Sequence, residues 1–411
     1  MFRVVHMIEN LFVYIRSNPL IRDFVHTIAG TLGSLLFRLF WIFPVNMNKF
    51  FVIHFNGKGY SDNPKYLCEE ILSRNIDADI VWMVYLDEHK PETFPPSVRF
   101  VPKYSIKTLY ELATSSVWIN DVRMDDYVRK RKGQKYIQTW HGGFAMKKVE
   151  ADVPDSPKWY VRASKNDSKM ADIFVSGSEI QSKVYRSAFR YSGRILEAGY
   201  PRNDLLVVPD RLSSTKDTVY STLLHYLRLP ENKKILLYAP TFRKDLLYSD
   251  SNPEFIKWQD SSSKRFGDEW IVLLRLHPNI IKSVDTSFLC DNIRVFDVSS
   301  YPDMQELLAV ADVLVTDYSS CMFDFGLTKR PCFLYAPDVE TYASDDRGFY
   351  IQLSELPFPL YKSNEELMGG IESFDDVMYQ KNLAEFYEKY GSFEKGDAAK
   401  KVVDWILSQM S

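Results

Sequence analysis

From Lys49 onward the chain alternates short apolar runs with amphipathic stretches, twice over, and that alternation admits few folds. Residues 50–55, 80–85, 117–120, 136–139, 172–176 and 195–198 have the length and the β-branched or aromatic content of buried strands. Helical spacing separates some of them, as in residues 66–74 and 108–114. A second series starts at Lys234 and runs through residues 270–276, 293–296, 313–316 and 332–335. Strands alternating with helices build parallel sheets, and such sheets bind ligands at the carboxyl ends of their strands. The expectation is an α/β fold of two doubly wound, Rossmann-like domains facing each other across a cleft. A chain of 411 residues can bury two such cores. The Ser-, Asp- and Lys-rich segment 243–267 reads as an exposed loop or short surface helix. The tail DAAKKVVDWILSQ reads as a capped amphipathic helix that returns to the first domain.

Polar residues collect where these strands stop. In ADVLVTDYSSCMFD (311–324) an apolar run ends at Thr316, and Ser319 and Ser320 stand where a helix should begin. Hydroxyls together with free helix N-terminal amides make an anion site. YIQTWHGG ends in His141 followed by Gly142 and Gly143, where backbone can approach a ligand closely. In RLHP, Arg275 and His277 fall on one face of an extended strand. A buried arginine there calls for an anion, either a pyrophosphate or an internal carboxylate. YAPTFR adds Thr241 and Arg243 at another strand end. Each motif alone is compatible with an ordinary turn or a satisfied polar residue, whereas several polar strand ends in one α/β chain point to a site.

Composition narrows the chemistry. A net charge of −3 gives no global case for nucleic acid, and Cys68, Cys290, Cys321 and Cys332 lack disulfide or metal-ligand spacing. They read as small buried hydrophobes. The carboxylates of Asp77-Ala-Asp79 precede a strand and read as a turn, so no metal site is expected. Walker, GxGxxG and GxSxG patterns are absent. In the first 45 residues, Ile8, Leu11, Phe12 and Ile15 share one helical face, and Leu32, Leu35, Leu36, Leu39 and Phe40 another. Arg38 and Pro44 argue against a spanning helix, which leaves an in-plane amphipathic anchor or helices packed on the first domain. Arg16, Arg22, Arg38 and the cluster at 129–132 would attract anionic lipid, as could Lys147 and Lys148 a polyanion.

Taken in order, QTWHGG, GYPRND, YAPTFR, RLHP, TDYSSCMFDF, RGFY and SFEKGDAAKKVVDWIL resemble the CDP-glycerol glycerophosphotransferases, which prime and extend teichoic acids and related polyol-phosphate capsule polymers. The resemblance runs from about Phe51 to the tail. It implies a GT-B fold with an anchor at 1–45, an acceptor-side domain at 46–204, a CDP-alditol-binding domain at 205–378 and returning helices at 379–411. It also implies transfer of glycerol or ribitol phosphate from CDP-glycerol or CDP-ribitol to a lipid-linked acceptor, with release of CMP and without cofactor or metal. The enzyme would work peripherally at the cytoplasmic face of the membrane. His141 becomes the expected general base, with His277 and Arg275 supporting the pyrophosphate. Gly142, Gly143, Thr241, Arg243, Thr316, Ser319 and Ser320 would line the substrates, and Arg202 and Asp324 would bind donor hydroxyls. Gly143 departs from the threonine common after WHG, a change that bears on the acceptor site. Two other classes share the pattern: a GT-B glycosyltransferase using a nucleotide-sugar, and a non-catalytic membrane-associated binding protein.

Overall fold

The computed structural model describes residues 18–86, 93–227, 229–241, 253–276, 294–340 and 348–410. His277, Arg243, Arg347, Cys290, Arg16 and the apolar face at 8–15 lie outside these residues. Two all-parallel sheets organise the chain. The first contains β1 (Asn46–Ile53), β2 (Asp79–Val84), β3 (Arg99–Pro102), β4 (Ser115–Asn120), β5 (Lys135–Gln138), β6 (Ile173–Ser176) and β7 (Arg194–Glu197). Its spatial order is β3-β2-β1-β4-β5-β6-β7. The second contains β8 (Lys234–Tyr238), β9 (Trp270–Leu274), β10 (Val295–Asp297), β11 (Val313–Thr316), β12 (Cys332–Tyr335) and β13 (Leu360–Tyr361), in the order β10-β9-β8-β11-β12-β13. Chain direction across each sheet therefore reverses once, between β1 and β4 and between β8 and β11. Those two reversals open the crevices in which doubly wound sheets bind ligands.

Two elements differ from the sequence reading. Phe255–Phe266 is a helix that belongs to the core, because Phe255 and Trp258 are buried against Tyr238 while serines face inward beside them. Its polar composition hides an apolar stripe at 255, 258 and 266. Strand β3 and the two-residue β13 carry too few apolar residues to stand out. The tail helix Ala398–Met410 buries Val402, Val403 and Ile406 with Phe50, Val52 and Leu67 of the first domain.

Of the two N-terminal helical faces, the one at 8–15 lies outside the described residues, and the one at 32–40 falls on the described helix Pro19–Leu39. One face docks on the first domain. His26 stacks on Trp159 with ring centres 4.2 Å apart, Arg162 donates to Thr27 at 2.6 Å, and Phe37 is fully buried. Gly30 and Gly33 allow this, since a Cβ at either would come within 2.8 Å of Asp126 or 2.7 Å of Tyr127. About half a turn away, Phe24, Ile28, Leu32, Leu35 and Leu39 are exposed. Packing and an outward apolar face thus coexist on one helix. By length and composition alone Ile21–Ile42 is long and apolar enough to cross a membrane, contrary to the weight given to Arg38. The basic cluster is largely engaged internally: Arg129 donates to Asp126 and Val128 carbonyls, Lys130 pairs with Asp172, and Arg131 donates to Trp41 and Phe43 carbonyls. Among the described residues, only Lys130 of the cluster is neutralised by a carboxylate, so Arg129, Arg131 and Lys132 keep their charge.

Candidate active site

At the first crevice the exits of β1 and β4 supply His54 and Asp121. Phe55 and Asn56 turn with φ of 39° and 61°, closing the loop over Asp121, whose Oδ1 accepts the Phe55 amide at 2.8 Å. Asp121 Oδ2 lies 2.5 Å from His54 Nδ1. Burial alone would lower the His54 pKa, but the adjacent carboxylate holds it above the ordinary histidine value. His141 follows β5 after Trp140, a non-glycine residue at φ 54° whose amide is fixed by Gln138 at 2.8 Å. The His141 Nδ1 lies 2.8 Å from the Asp121 carbonyl. A carbonyl can only accept, so Nδ1 carries the proton and Nε2 is left as a basic lone pair. Asp121 therefore serves both histidines, one through its side chain and one through its backbone.

At the second crevice, Asp317 ties the two strand exits together by accepting from the Thr241 amide at 2.9 Å and the Thr241 hydroxyl at 2.9 Å. Thr316 donates to the Ala239 carbonyl at 2.6 Å and is fully buried. Its role in this structure is to join β11 to the β8 exit, not to line the substrate space. Ser320 precedes the helix Cys321–Gly326 yet makes no side-chain cap bond, while the Ser319 side chain hydrogen-bonds Cys321. That helix has only six residues, so its dipole adds little and the serine hydroxyls carry more of any anion binding.

The two crevices open into one cavity of about 1050 Å3. Phe55, Asn56, His141 and Gly142 line one side, and Thr241, Tyr318, Ser319 and Ser320 the other. The structure thus brings His141, Gly142, Thr241, Ser319 and Ser320 together. It does not bring Arg275 to them. The Arg275 guanidinium donates to the carbonyls of Val298 and Ser299, both at 3.0 Å, and of Tyr301. Burial pushes its pKa down to about 10 against the charges of Asp303 and Asp297, and its donors staple the 298–301 loop.

Arg202 and Asp324 also take a different place from the one expected. Arg202 is 3% exposed and donates to Asp324 Oδ2 at 3.2 Å, Asp62 Oδ1 at 2.9 Å and the His141 carbonyl at 2.7 Å. Asp324 accepts also from Asn203 at 3.1 Å and Gln305 at 2.9 Å. Both are consumed by a buried clasp between the domains, seconded by Lys65 on Asp303 at 2.9 Å. Gly143 lies under this clasp, where a Cβ would come within 2.8 Å of Asp324 Oδ1. A side chain at 143 would therefore press on the clasp in its present geometry. Among the described residues no three His, Cys, Asp or Glu side chains converge to hold a metal ion.

His54 and Asp121 escape sequence reasoning because their meaning depends on strand order. A polar pair after two apolar runs is commonplace until β1 and β4 are known to be neighbours across a reversal.

Residues 35–408 match the family described as CDP-glycerol:poly(glycerophosphate) glycerophosphotransferase. The teichoic acid poly(glycerol phosphate) polymerase of Bacillus spizizenii is 30% identical over 386 residues, covering 91% of this chain and 95% of that protein. The teichoic acid glycerol-phosphate transferase of Staphylococcus aureus is 34% identical over 376 residues, covering 88% and 93%. Against the polymerase of Bacillus subtilis the chain is 31% identical but spans only 50% of that longer protein. The solved wall teichoic acid polymerase TagF superposes with a TM-score of 0.78 at 31% identity, covering 95% of this chain and 98% of that one. Both sheets thus form a two-domain fold of GT-B type. The chain belongs to the CDP-glycerol:poly(glycerophosphate) glycerophosphotransferase family.

Proposed function

We propose that the chain transfers glycerol phosphate, or ribitol phosphate, from a CDP-alditol to a hydroxyl of a lipid-linked teichoic acid or related polyol-phosphate acceptor. The acceptor oxygen bonds to the alditol-side phosphorus, the bond from that phosphorus to CMP breaks, and the acceptor proton passes to His141 Nε2. The observation that carries this reading is a histidine of fixed tautomer sharing one cavity with Ser319 and Ser320, the latter not spent on a helix cap. Ser319, Ser320 and Thr241 would hold the phosphates as charge shifts to the leaving group. Incubation of purified protein and a lipid-linked acceptor with CDP-glycerol, CDP-ribitol or a UDP-sugar, with products read by mass spectrometry, tests it. Alditol phosphate addition and CMP are expected, and they should persist in EDTA. Transfer of a sugar instead would establish the glycosyltransferase alternative.

The serines give a sharper check. Because Ser320 makes no side-chain cap bond, Ser319→Ala/Ser320→Ala should leave Tm nearly unchanged, without the roughly 1 kcal/mol loss of a cap. CDP-glycerol affinity should fall by about tenfold or more, as expected for lost hydrogen bonds to a charged group. Unchanged affinity in calorimetry would remove both residues from the donor site.

The same reading has the enzyme held peripherally at the cytoplasmic face of the membrane by the helix Pro19–Leu39. Contacts at 26, 27, 30, 33 and 37 favour an in-plane attitude, since a spanning one would strip them from the domain. Leu35→Ser/Leu39→Ser should release the protein from anionic vesicles in a flotation assay. Both positions are more than half exposed, so the fold should survive. Use of a lipid-linked acceptor should drop while a short soluble acceptor is still used.

A further inference from the structure

We propose that the end of the cavity beneath the N-terminal helix is an acceptor subsite for an uncharged, hydroxyl-rich unit, a proposal that rests on the transfer reaction above. Small-molecule sites typically enclose about 300–1,000 Å3. At about 1050 Å3 this cavity has room for more than one substrate. Its ends differ in chemistry. Toward the second domain the lining includes Lys147 and the hydroxyls of Thr241, Ser319 and Ser320, which suit phosphate. Beneath the helix it includes Asp125, Asp126 and Glu150, with Arg123 as the cation among them. Arg123 is already matched: its Nε is 3.4 Å from Glu150 Oε1, and its guanidinium sits 3.8 Å above the Tyr160 ring. Asp126 is matched in turn by Arg162 at 3.7 Å, which leaves Asp125 as the carboxylate without an arginine, so a phosphodiester entering here would meet excess negative charge. Hydroxyl groups donate to carboxylates and suit the same surface.

Two groups in this wall are incompletely used. Glu150 is 2% exposed, and its Oε1 accepts from the Tyr160 hydroxyl at 3.0 Å, but Oε2 is enclosed with no hydrogen-bond partner in the protein. Trp159 Nε1 is enclosed in the same condition. Buried polar atoms seldom stay unpaired, and an acceptor plus a donor match the two capacities of a hydroxyl group. Glu150 is moreover held at φ 51°, a left-handed strain for a non-glycine residue of the kind that gathers at ligand sites. The stacked pair His26–Trp159 joins this wall to the helix whose opposite face carries Leu32, Leu35 and Leu39. An acceptor arriving from a lipid surface would therefore pass this wall before reaching His141.

The unit that fits is a glycosyl ring and not a growing polyol-phosphate chain, whose phosphodiesters would face these carboxylates. Calorimetric titration of the full chain with a soluble alkyl glycoside and, separately, with a short oligo(glycerol phosphate) tells them apart. The expected result is a loss of glycoside binding of about tenfold or more in both Trp159→Phe and Glu150→Gln, with CDP-glycerol affinity unchanged. Loss confined to the glycoside supports the proposal; equal loss with both probes overturns it. Wild-type protein that binds neither probe, loss confined to oligo(glycerol phosphate), or unaltered binding in Trp159→Phe overturns the proposal. Should Glu150→Gln fail to fold, Trp159→Phe, which keeps an aromatic ring, decides alone. Binding requires no turnover, so a failed transfer assay would count against the reaction and leave this result standing.

Discussion

His141→Ala is expected to lower transfer by about 100- to 10,000-fold, the usual effect of losing a general base. CDP-alditol affinity should stay close to the wild-type value, because the base acts on the acceptor hydroxyl and not on the donor. The structural reason is the tautomer. With Nδ1–H given to the Asp121 carbonyl, Nε2 is the one nitrogen able to take a proton. Steady-state kinetics with saturating donor, together with calorimetry for the donor, separates the two quantities. Near-normal kcat in His141→Ala would remove it from catalysis. A matching fall in donor affinity would make it a donor contact instead.

Asp324→Ala should cost about 1–3 kcal/mol of stability, as Arg202 loses one of two carboxylates and Asn203 and Gln305 lose a buried acceptor. Arg202 would retain Asp62 and the His141 carbonyl but lose its tie to the second domain. Chemical denaturation followed by far-UV circular dichroism measures the change, and a loss below about 1 kcal/mol would return the pair to the level of a surface salt bridge. The clasp should also respond to pH. Glu394, which accepts the Tyr200 amide at 3.1 Å and Asn203 at 3.0 Å, has its pKa pushed up to about 8 by burial, against the hydrogen bond from Asn203. Its folded pKa exceeds the ordinary 4.5, so the folded state holds the extra proton between those values. Stability from this group is full below about pH 4.5 and is lost as pH rises toward about 8. Glu394→Gln should flatten that slope.

Much of the first-order architecture is legible without coordinates, since apolar runs such as 313–315 and 332–335 can only be buried strands. Their polar terminations at His141 and at Ser319-Ser320 likewise converge on one cavity. What escapes is whatever depends on neighbours. Phe255–Phe266 disguises a core stripe among serines, and β13 is too short to carry a pattern. Arg202 and Asp324 have the chemistry of substrate contacts, and only their mutual distance shows that each already has its partner. His54 and Asp121 acquire significance from adjacency of β1 and β4, a fact of sheet order that periodicity does not encode.

The Arg202 guanidinium has a mechanical consequence. It grips Asp324 on one domain and the His141 peptide oxygen on the other. A hinge motion that parts the domains must stretch this linkage and tug the base's own backbone out of register. The position of the His141 peptide is thereby linked to how closely Asp324 sits against the first domain.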